Sequence, residues 1–471
     1  MYRCPKQEKT TVARESWLDI KARRYASWRH APTAAPSKIN VFIDASKHRI
    51  VNGRGHLLTY LGDGGGSVAH FGAGIYNWIW QYRKQSMRYF PERDDWQTID
   101  AAEAGMDAEK LADAVAFAEA AETTWPRDLS EGLNAGTASK EPPPWNTVLG
   151  PTKDRGGPSG LLLRGGRIAA RWGDPLRVDM TFSIAKSYLS ILTGVAVARG
   201  LIRGVDDPVR EYALDDGFDS PQNRDITWRH LLQQTSEWEG TLWDKPDLVD
   251  RNRQVGPGSD NSRKGTHRDL QAPGSFWEYN DVRVNRLSLS LLQVFRRPLP
   301  EVLREAIMDP IGASETWEWH AYGNAHFDID GQSMPSVPGG AHWGGGIFIS
   351  SADHARVGLL MARGGRWNGQ QLVPKSWIAS SRTPCPVNAE YGYLWWLNPG
   401  GAHYDRAPDS SYFAIGAGQS TIWVDPDLDL VMVARWSDEA KVNALIGGVM
   451  DALLSPAQTA ASPAMAEVNR V

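Results

Sequence analysis

Ser183-Ile-Ala-Lys186 sets a hydroxyl and an amine three residues apart, where a strand-rich stretch gives way to a long apolar one. On a helix that spacing brings both side chains to one face, one turn apart. The start of such a helix also points free N–H groups and a positive dipole end at the serine. Phe182, Ile184, Tyr188, Leu189 and Ile191 surround the pair with apolar residues. A lysine buried among them can lose its proton and act as a base. Serine needs that help, because its hydroxyl is a weak nucleophile at neutral pH. The tetrad is common by chance, so its weight depends on what accompanies it.

Two further elements do. Trp277-Glu-Tyr279-Asn-Asp281 places a tyrosine just ahead of a helical pattern, where a phenol held by the lysine can relay protons. Ala414-Ile415-Gly416-Ala417-Gly418 runs directly into a strand at Ser420 to Val424. Small residues there let a substrate lie along the strand edge. A backbone N–H there can complete an oxyanion hole with the N–H of Ser183.

The elements that must hold these groups are legible from Met87 onward. Asp107 to Ala121 repeats apolar positions at helical spacing behind an aspartate cap. After a proline-rich loop at Pro142 to Pro144, Gly160 to Arg164 and Arg167 to Trp172 flank Gly165-Gly166, a β-hairpin signature. A helix is predicted from Ser183 to about Arg199, stopped by Gly200. Others are predicted at Thr227–Gln234, Asp281–Phe295, Ser351–Ala362, Pro374–Ser381 and Asp438–Leu454. Ser420–Val424 and Asp429–Arg435 read as strands. Strands near both ends with a mixed middle imply a sheet assembled from both ends of the chain. The α/β lobe would take residues 87–200 and 346–455, a mainly helical lobe residues 201–345, with the domain closing near 460 and residues 461–471 a disordered tail. Residues 1–86 lack periodicity and read as a poorly structured extension or as sequence ahead of a misplaced start.

Composition narrows the classes. Of 471 residues, 41% are hydrophobic and 23% charged, the balance of a globular protein, and the net charge of −4 offers no footprint for nucleic acid. Two cysteines exclude a disulfide framework and a cysteine metal site. The 11 histidines show no metal-ligand spacing, so neither metal nor other cofactor is expected; His230 reads as structural. The glycine run at 62–66 lacks the Lys-Ser/Thr of a phosphate loop. No apolar window reaches membrane-spanning length and no secretory leader is visible, so a cytoplasmic location without membrane contact is expected. The oligomeric state is not readable. Tryptophan is abundant, at 21 residues, and Trp277, Trp343 and Trp396 fall near the chemical elements. They are expected to wall a cleft suited to an apolar acyl or alkyl group.

Taken together and in order, Ser183-Ile-Ala-Lys186, Tyr279-Asn-Asp281 and the Gly-Ala-Gly element before Ile422-Trp-Val-Asp-Pro426 resemble the serine β-lactamase-like superfamily. That group holds class C β-lactamases, D,D-peptidases, family VIII esterases and 6-aminohexanoate-dimer hydrolases. Ile226 to Ser236, Gly344 to Asp353 and Tyr391 to Trp396 are similar to supporting segments, and the resemblance covers about residues 95–455. It implies an antiparallel sheet flanked by helices plus a mainly helical lobe, the site lying between. It further implies Ser183 as acylated nucleophile, Lys186 as base, Tyr279 as relay, and Ser183 with Ala417 as oxyanion donors.

Two departures shape the substrate. The family's Lys-Thr/Ser-Gly stands here as Ala414-Ile415-Gly416, without the cation that holds a lactam carboxylate. Arg283, Arg286 or Arg406 would have to replace it. Asp281 stands where the family's Tyr-x-Asn has an amide, a carboxylate that would repel an anion and accept an amine or amide proton. With Trp277, Trp343, Trp396, Ile415 and Gly416 as its lining, the cleft is expected to take a small neutral or cationic ester or amide. A serine esterase is the leading expectation, with an amidase, a D-amino-acid peptidase or a β-lactamase behind it. The contrasting class is a non-catalytic penicillin-binding or sensor-like protein.

Overall fold

The computed structural model describes residues 41–44, 49–52, 57–60, 89–134, 145–256 and 258–455. The chain divides into two compact units, Met1–Met87 and Arg88–Val471. In the first, β1 (Val41–Asp44), β2 (Arg49–Asn52) and β3 (Leu57–Tyr60) pair antiparallel as a three-stranded meander. Each is four residues long, too short for the alternation test to register. The glycine run at 62–66, Trp17, Trp28, Trp78, Trp80, the prolines at 142–144 and residues 461–471 lie outside the described residues.

The second unit is built on a hairpin. β4 (Ser159–Arg164) and β5 (Arg167–Trp172) join through Gly165 and Gly166, whose φ of +61° and +88° suit a turn that only glycine enters without strain. Beyond it lie α1 (Ala108–Ala120, earlier in the chain), β6 (Asp179–Met180) and α2 (Ile184–Ala198). Then come α3 (Trp228–Leu232), α4 (Asp281–Phe295), β7 (Glu318–His320), β8 (Gly346–Ile349) and α5 (Ser351–Ala362). The chain closes with β9 (Trp396–Leu397), β10 (Tyr412–Gly416), β11 (Ser420–Asp425), β12 (Leu430–Arg435) and α6 (Val442–Ala452). A six-stranded antiparallel sheet orders these as β9-β10-β11-β12-β4-β5, so strands from both ends of the chain meet at the β12–β4 pairing.

Both faces of that sheet are covered, which is why β4, β11 and β12 carry continuous apolar runs rather than alternating. Leu161, Leu163, Ile422, Val431 and Val433 point into the main core with α2 and α5. Leu162, Trp423 and Met432 point the other way, into a second core with Leu111 and Ala114 of α1 and Leu445, Ile446 and Val449 of α6. Helix starts follow local capping rules: Asp107 accepts from the N–H groups of Glu109 and Lys110, and Ser350 from that of Asp353. The final helix begins at Val442 rather than 438 because Glu439–Lys441 form a 3₁₀ turn first.

A smaller sheet, β6-β8-β7, carries the chain into α2. Buried Arg435 ties it to the larger one. Its Nη2 donates to Met180 O at 2.6 Å, Nη1 to Ile349 O at 3.1 Å and Nε to Ser420 Oγ at 3.0 Å. Burial pulls its guanidinium down to about 10, against the opposing charge of Asp179. His354 of α5 adds a second tie, bonding Thr181 Oγ1 at 2.7 Å and the Tyr188 hydroxyl at 2.9 Å. Thr181 lies two residues before Ser183, so α5 fixes the entry into α2. Among the described residues no helix is long and apolar enough to cross a membrane.

Burial, then the charge of Arg435, holds His354 well below the usual histidine value of 6.5. The unfolded chain therefore binds a proton that the folded one refuses, and stability falls as pH drops below about 6.5. His354 is expected to contribute up to about 1.4 kcal/mol per pH unit to that slope between pH 6.5 and 5. Urea unfolding across this window is expected to show the slope lessened in His354→Gln.

Candidate active site

Ser183 sits at the N-cap of α2 with φ −68° and ψ −8°, and its side chain makes no capping bond. The hydroxyl is thereby left for Lys186, whose Nζ donates to Ser183 Oγ at 2.8 Å. The residue before it is strained. Phe182 is buried with φ +50°, and its ring lies edge-on to Trp125 at 5.5 Å and to Trp436 at 6.4 Å. A non-glycine residue in this left-handed region persists only where packing over-determines it. Here two tryptophans and the Trp436 Nε1 bond to Asp179 at 2.9 Å supply that packing.

Lys186 also forms an ion pair with Oδ1 of Asp281, and each side chain is 2% exposed. Asp281 opens α4, whose cap is Asn280: its side chain accepts from the N–H groups of Val282 and Arg283. The second oxygen of Asp281 receives Arg253 Nη1 at 2.6 Å and bonds His342 Nδ1 at 2.9 Å. Its backbone N–H donates to Asp250 Oδ2 at 2.8 Å. Burial pushes the Asp281 carboxyl up, but Lys186, Arg253 and His342 together bring it well below the usual range. Gly340 makes the room. A methyl there would overlap Asp281 Oδ1 and come 2.7 Å from Lys186 Nζ.

Tyr279 is buried beside this pair. Lys186 Nζ lies 4.6 Å and the Arg253 guanidinium carbon 5.2 Å from its ring centroid, so the lysine meets the ring face. Gln234 clamps the neighbourhood: its Oε1 accepts from Asn280 N at 2.9 Å and its Nε2 donates to the Tyr391 hydroxyl at 3.0 Å. Burial pushes the Tyr391 phenol well above its usual value. Tyr391 packs edge-on against Trp277 at 5.4 Å and Trp396 at 4.8 Å.

β10 brings the third element alongside. A side chain on Gly416 would overlap Thr181 O and come 3.3 Å from Ser183 N, so only glycine lets this strand lie against the nucleophile's backbone. Ala417 follows, exposed at the first position of the hairpin turn, and Ile415 is half-buried on the strand.

The structure thus brings together Ser183, Lys186, Tyr279, Asp281 and Gly416, and corrects several expectations. Asp281 does not face a substrate, because both of its oxygens are engaged inside the protein. Trp343 is 1% exposed in the main core, beneath Lys245 and beside Tyr322, and walls no cleft. Trp396 is half-buried, stacked on Tyr279 at 5.8 Å and on His403 at 5.0 Å. Trp277 remains half-buried, edge-on to Trp396. None of the three arginines expected to supply a cation does so. Arg283 pairs with Glu237 and Glu278, Arg286 with Asp215, and Arg406 with Asp451. His230 is structural, its Nδ1 accepting from Thr227 N at 3.2 Å in a capping box.

Sequence reasoning missed Arg253, Asp250, Gly340 and Gln234. A buried carboxylate at 281 demands a counter-charge, yet nothing in the chain order marks Arg253 as the one. Asp250, Asp281 and His342 bring one ligand atom each within 4.8 Å of one another. Lys186 and Arg253 already stand on Asp281 there, so a divalent ion would have to displace a cation.

Comparison with known proteins follows this geometry. The chain is 18% identical to a β-lactamase of Mycobacterium bovis, over 62% of this chain and 92% of that one, with a TM-score of 0.42. It is 17% identical to a D-stereospecific amidohydrolase of Streptomyces, over 70% and 97%, with a TM-score of 0.44. It is 18% identical to a penicillin-binding protein of Bacillus halodurans, over 63% and 95%, with a TM-score of 0.43. No protein of curated function matches the sequence. The Beta-lactamase family profile matches residues 159–443, which run from β4 through the Ser183 and Tyr279 elements to the start of α6. With more than half of its length matched, the chain belongs to the Beta-lactamase family.

Proposed function

We propose that the protein is a serine hydrolase that cleaves a small ester or amide through an acyl-enzyme on Ser183, with esters preferred. The observation that carries this reading is the 2.8 Å contact of Lys186 Nζ with a Ser183 hydroxyl free of capping duty. In the reactive form Lys186 has lost one proton and accepts that of Ser183 as Oγ attacks the carbonyl carbon. The positive charge that forms on Nζ is met at once by Asp281, fixed in advance as a buried carboxylate. The N–H groups of Ser183 and Ala417 receive the oxyanion. The return of the proton to the leaving oxygen or nitrogen is assigned to Tyr279, whose ring face Lys186 meets. Water then attacks the acyl carbonyl and releases the acid.

The preference for a neutral substrate rests on the third element. Ala414, Ile415 and Gly416 present no charge, and Arg283, Arg286 and Arg406 are engaged elsewhere. Ile415 and Trp277, each half-buried, offer apolar surface for an acyl or alkyl group.

A fluorophosphonate is expected to add one equivalent to the wild-type protein and none to Ser183→Ala, read by intact mass. p-Nitrophenyl butyrate is expected to turn over faster than a D-alanyl anilide or nitrocefin, with Ser183→Ala inactive on all three. Hydrolysis unchanged in Ser183→Ala sinks the reading; adduct formation without turnover would mark a binding protein instead.

Gly340→Ala tests the geometry while leaving every reacting group in the chain. Its methyl displaces the Lys186–Asp281 pair, and a displacement near 1 Å is expected to lower kcat roughly 100-fold. KM is expected to stay within about twofold, since the substrate does not touch the pair. Steady-state kinetics on the butyrate ester check both.

A further inference from the structure

Asp281 and Ser183 compete for the same ammonium. Lys186 Nζ donates to Ser183 Oγ at 2.8 Å and pairs with Asp281 Oδ1, and opposite charges in a buried site attract strongly. Were Lys186 the only full positive charge on Asp281, the carboxylate would draw Nζ away from the serine. Arg253 changes that balance. Its Nη1 holds the other oxygen, Asp281 Oδ2, at 2.6 Å, and reaches Asp250 Oδ2 at 3.3 Å.

The backbone around Arg253 is built to deliver this side chain. Asn252 takes φ +60°, a left-handed turn that asparagine tolerates better than most residues. Its N–H donates to Glu278 Oε1 at 2.7 Å and its Nδ2 to Thr266 O at 2.9 Å. Arg251 O accepts from Gly265 N at 2.9 Å, while Arg251 Nε binds Asp247 Oδ2 at 2.7 Å. These bonds turn Arg253 inward, to 17% side-chain exposure, over the face of Tyr279. Burial works against its charge, but Asp250 and Asp281 hold the guanidinium firmly protonated.

We propose that Arg253 is a positioning residue for the Ser183–Lys186 pair: by sharing the charge of Asp281 it keeps Lys186 on the serine. This rests on the reading of Ser183 as nucleophile. It assigns a role in turnover to the loop at 251–253, which lies outside all three motif elements.

The test is steady-state kinetics on p-nitrophenyl butyrate with the full chain. Arg253→Met keeps a stem over Tyr279 but no charge, and is expected to lower kcat about 10- to 100-fold, the worth of a lost charge-assisted bond. KM is expected to move less than about threefold, because Arg253 acts through Asp281 and not on the substrate. Arg253→Lys, which keeps the charge, is expected to recover most of the loss. Added guanidinium ion is expected to restore part of the kcat of Arg253→Ala and to leave the wild type unchanged. A wild-type kcat in folded Arg253→Met overturns the proposal. So does an Arg253→Lys variant as slow as Arg253→Ala together with no guanidinium rescue, a criterion that holds even if Arg253→Met does not fold. Ser183→Ala separates the two readings: full activity there overturns the serine mechanism, whereas a silent Ser183→Ala beside an active Arg253→Met overturns the role of Arg253 alone.

Discussion

Two opposite charges removed from water are held together at the centre of the site, and much of the surrounding chain is arranged around that fact. Lys186 and Asp281 are each 2% exposed. Taking them out of water costs several kcal/mol per ion, which their mutual attraction offsets only when further hydrogen bonds complete the geometry. Arg253, His342 and the Asp250 carboxylate supply those bonds, and Gly340 leaves the space. The network continues outward. Arg283 joins Glu237, Glu278 and Asp247, and Arg268 joins Glu237 and Glu278, all beneath the start of α4. Breaking such a set at one member leaves a buried charge uncompensated, so its members constrain one another.

The nucleophile depends on a different kind of constraint. Packing rather than charge forces the chain from β6 into α2, with Phe182 held at φ +50° between Trp125 and Trp436. Arg435 and His354 then bind that corner to β12 and α5 through buried polar contacts. Ser183 therefore stands where the two sheets and α2 are cross-tied, while Asp281, the partner of Lys186, arrives on α4. The two halves of the chemistry meet only because Gly340 and Gly416 allow close approach from two other segments.

How much of this was legible in the sequence depended on whether the determining contact was local. The hairpin at Gly165-Gly166, α2 and α4 follow from turn chemistry, capping and helical spacing, all within a few residues. The Ser183–Lys186 contact is local too, one helical turn. The sequence pattern alone points Asp281 at a substrate, because its partners lie 95, 28 and 61 residues away and leave no trace in spacing. The tryptophans misled for a related reason. Trp228, Trp317, Trp343, Trp395, Trp423 and Trp436 are among the largest fully buried side chains, and a core ring and a cleft ring have the same sequence signature. Trp396 lies between these cases, half-buried and stacked on Tyr279 and His403.

The β12–β4 pairing joins Ser159–Arg164 to Leu430–Arg435, at opposite ends of the folded unit. As the chain leaves the ribosome, β4 has β5 as its sheet neighbour for the whole time that the intervening residues are made. Its other edge, with the Gly160-Leu-Leu-Leu run, stays unpaired until β12 emerges. An apolar strand with an open edge is a template for mispairing. Loop closure over such a separation also makes this step slow. A sheet closed by strands so far apart in the chain therefore leaves the newborn protein dependent on making β12 before aggregation finds that edge.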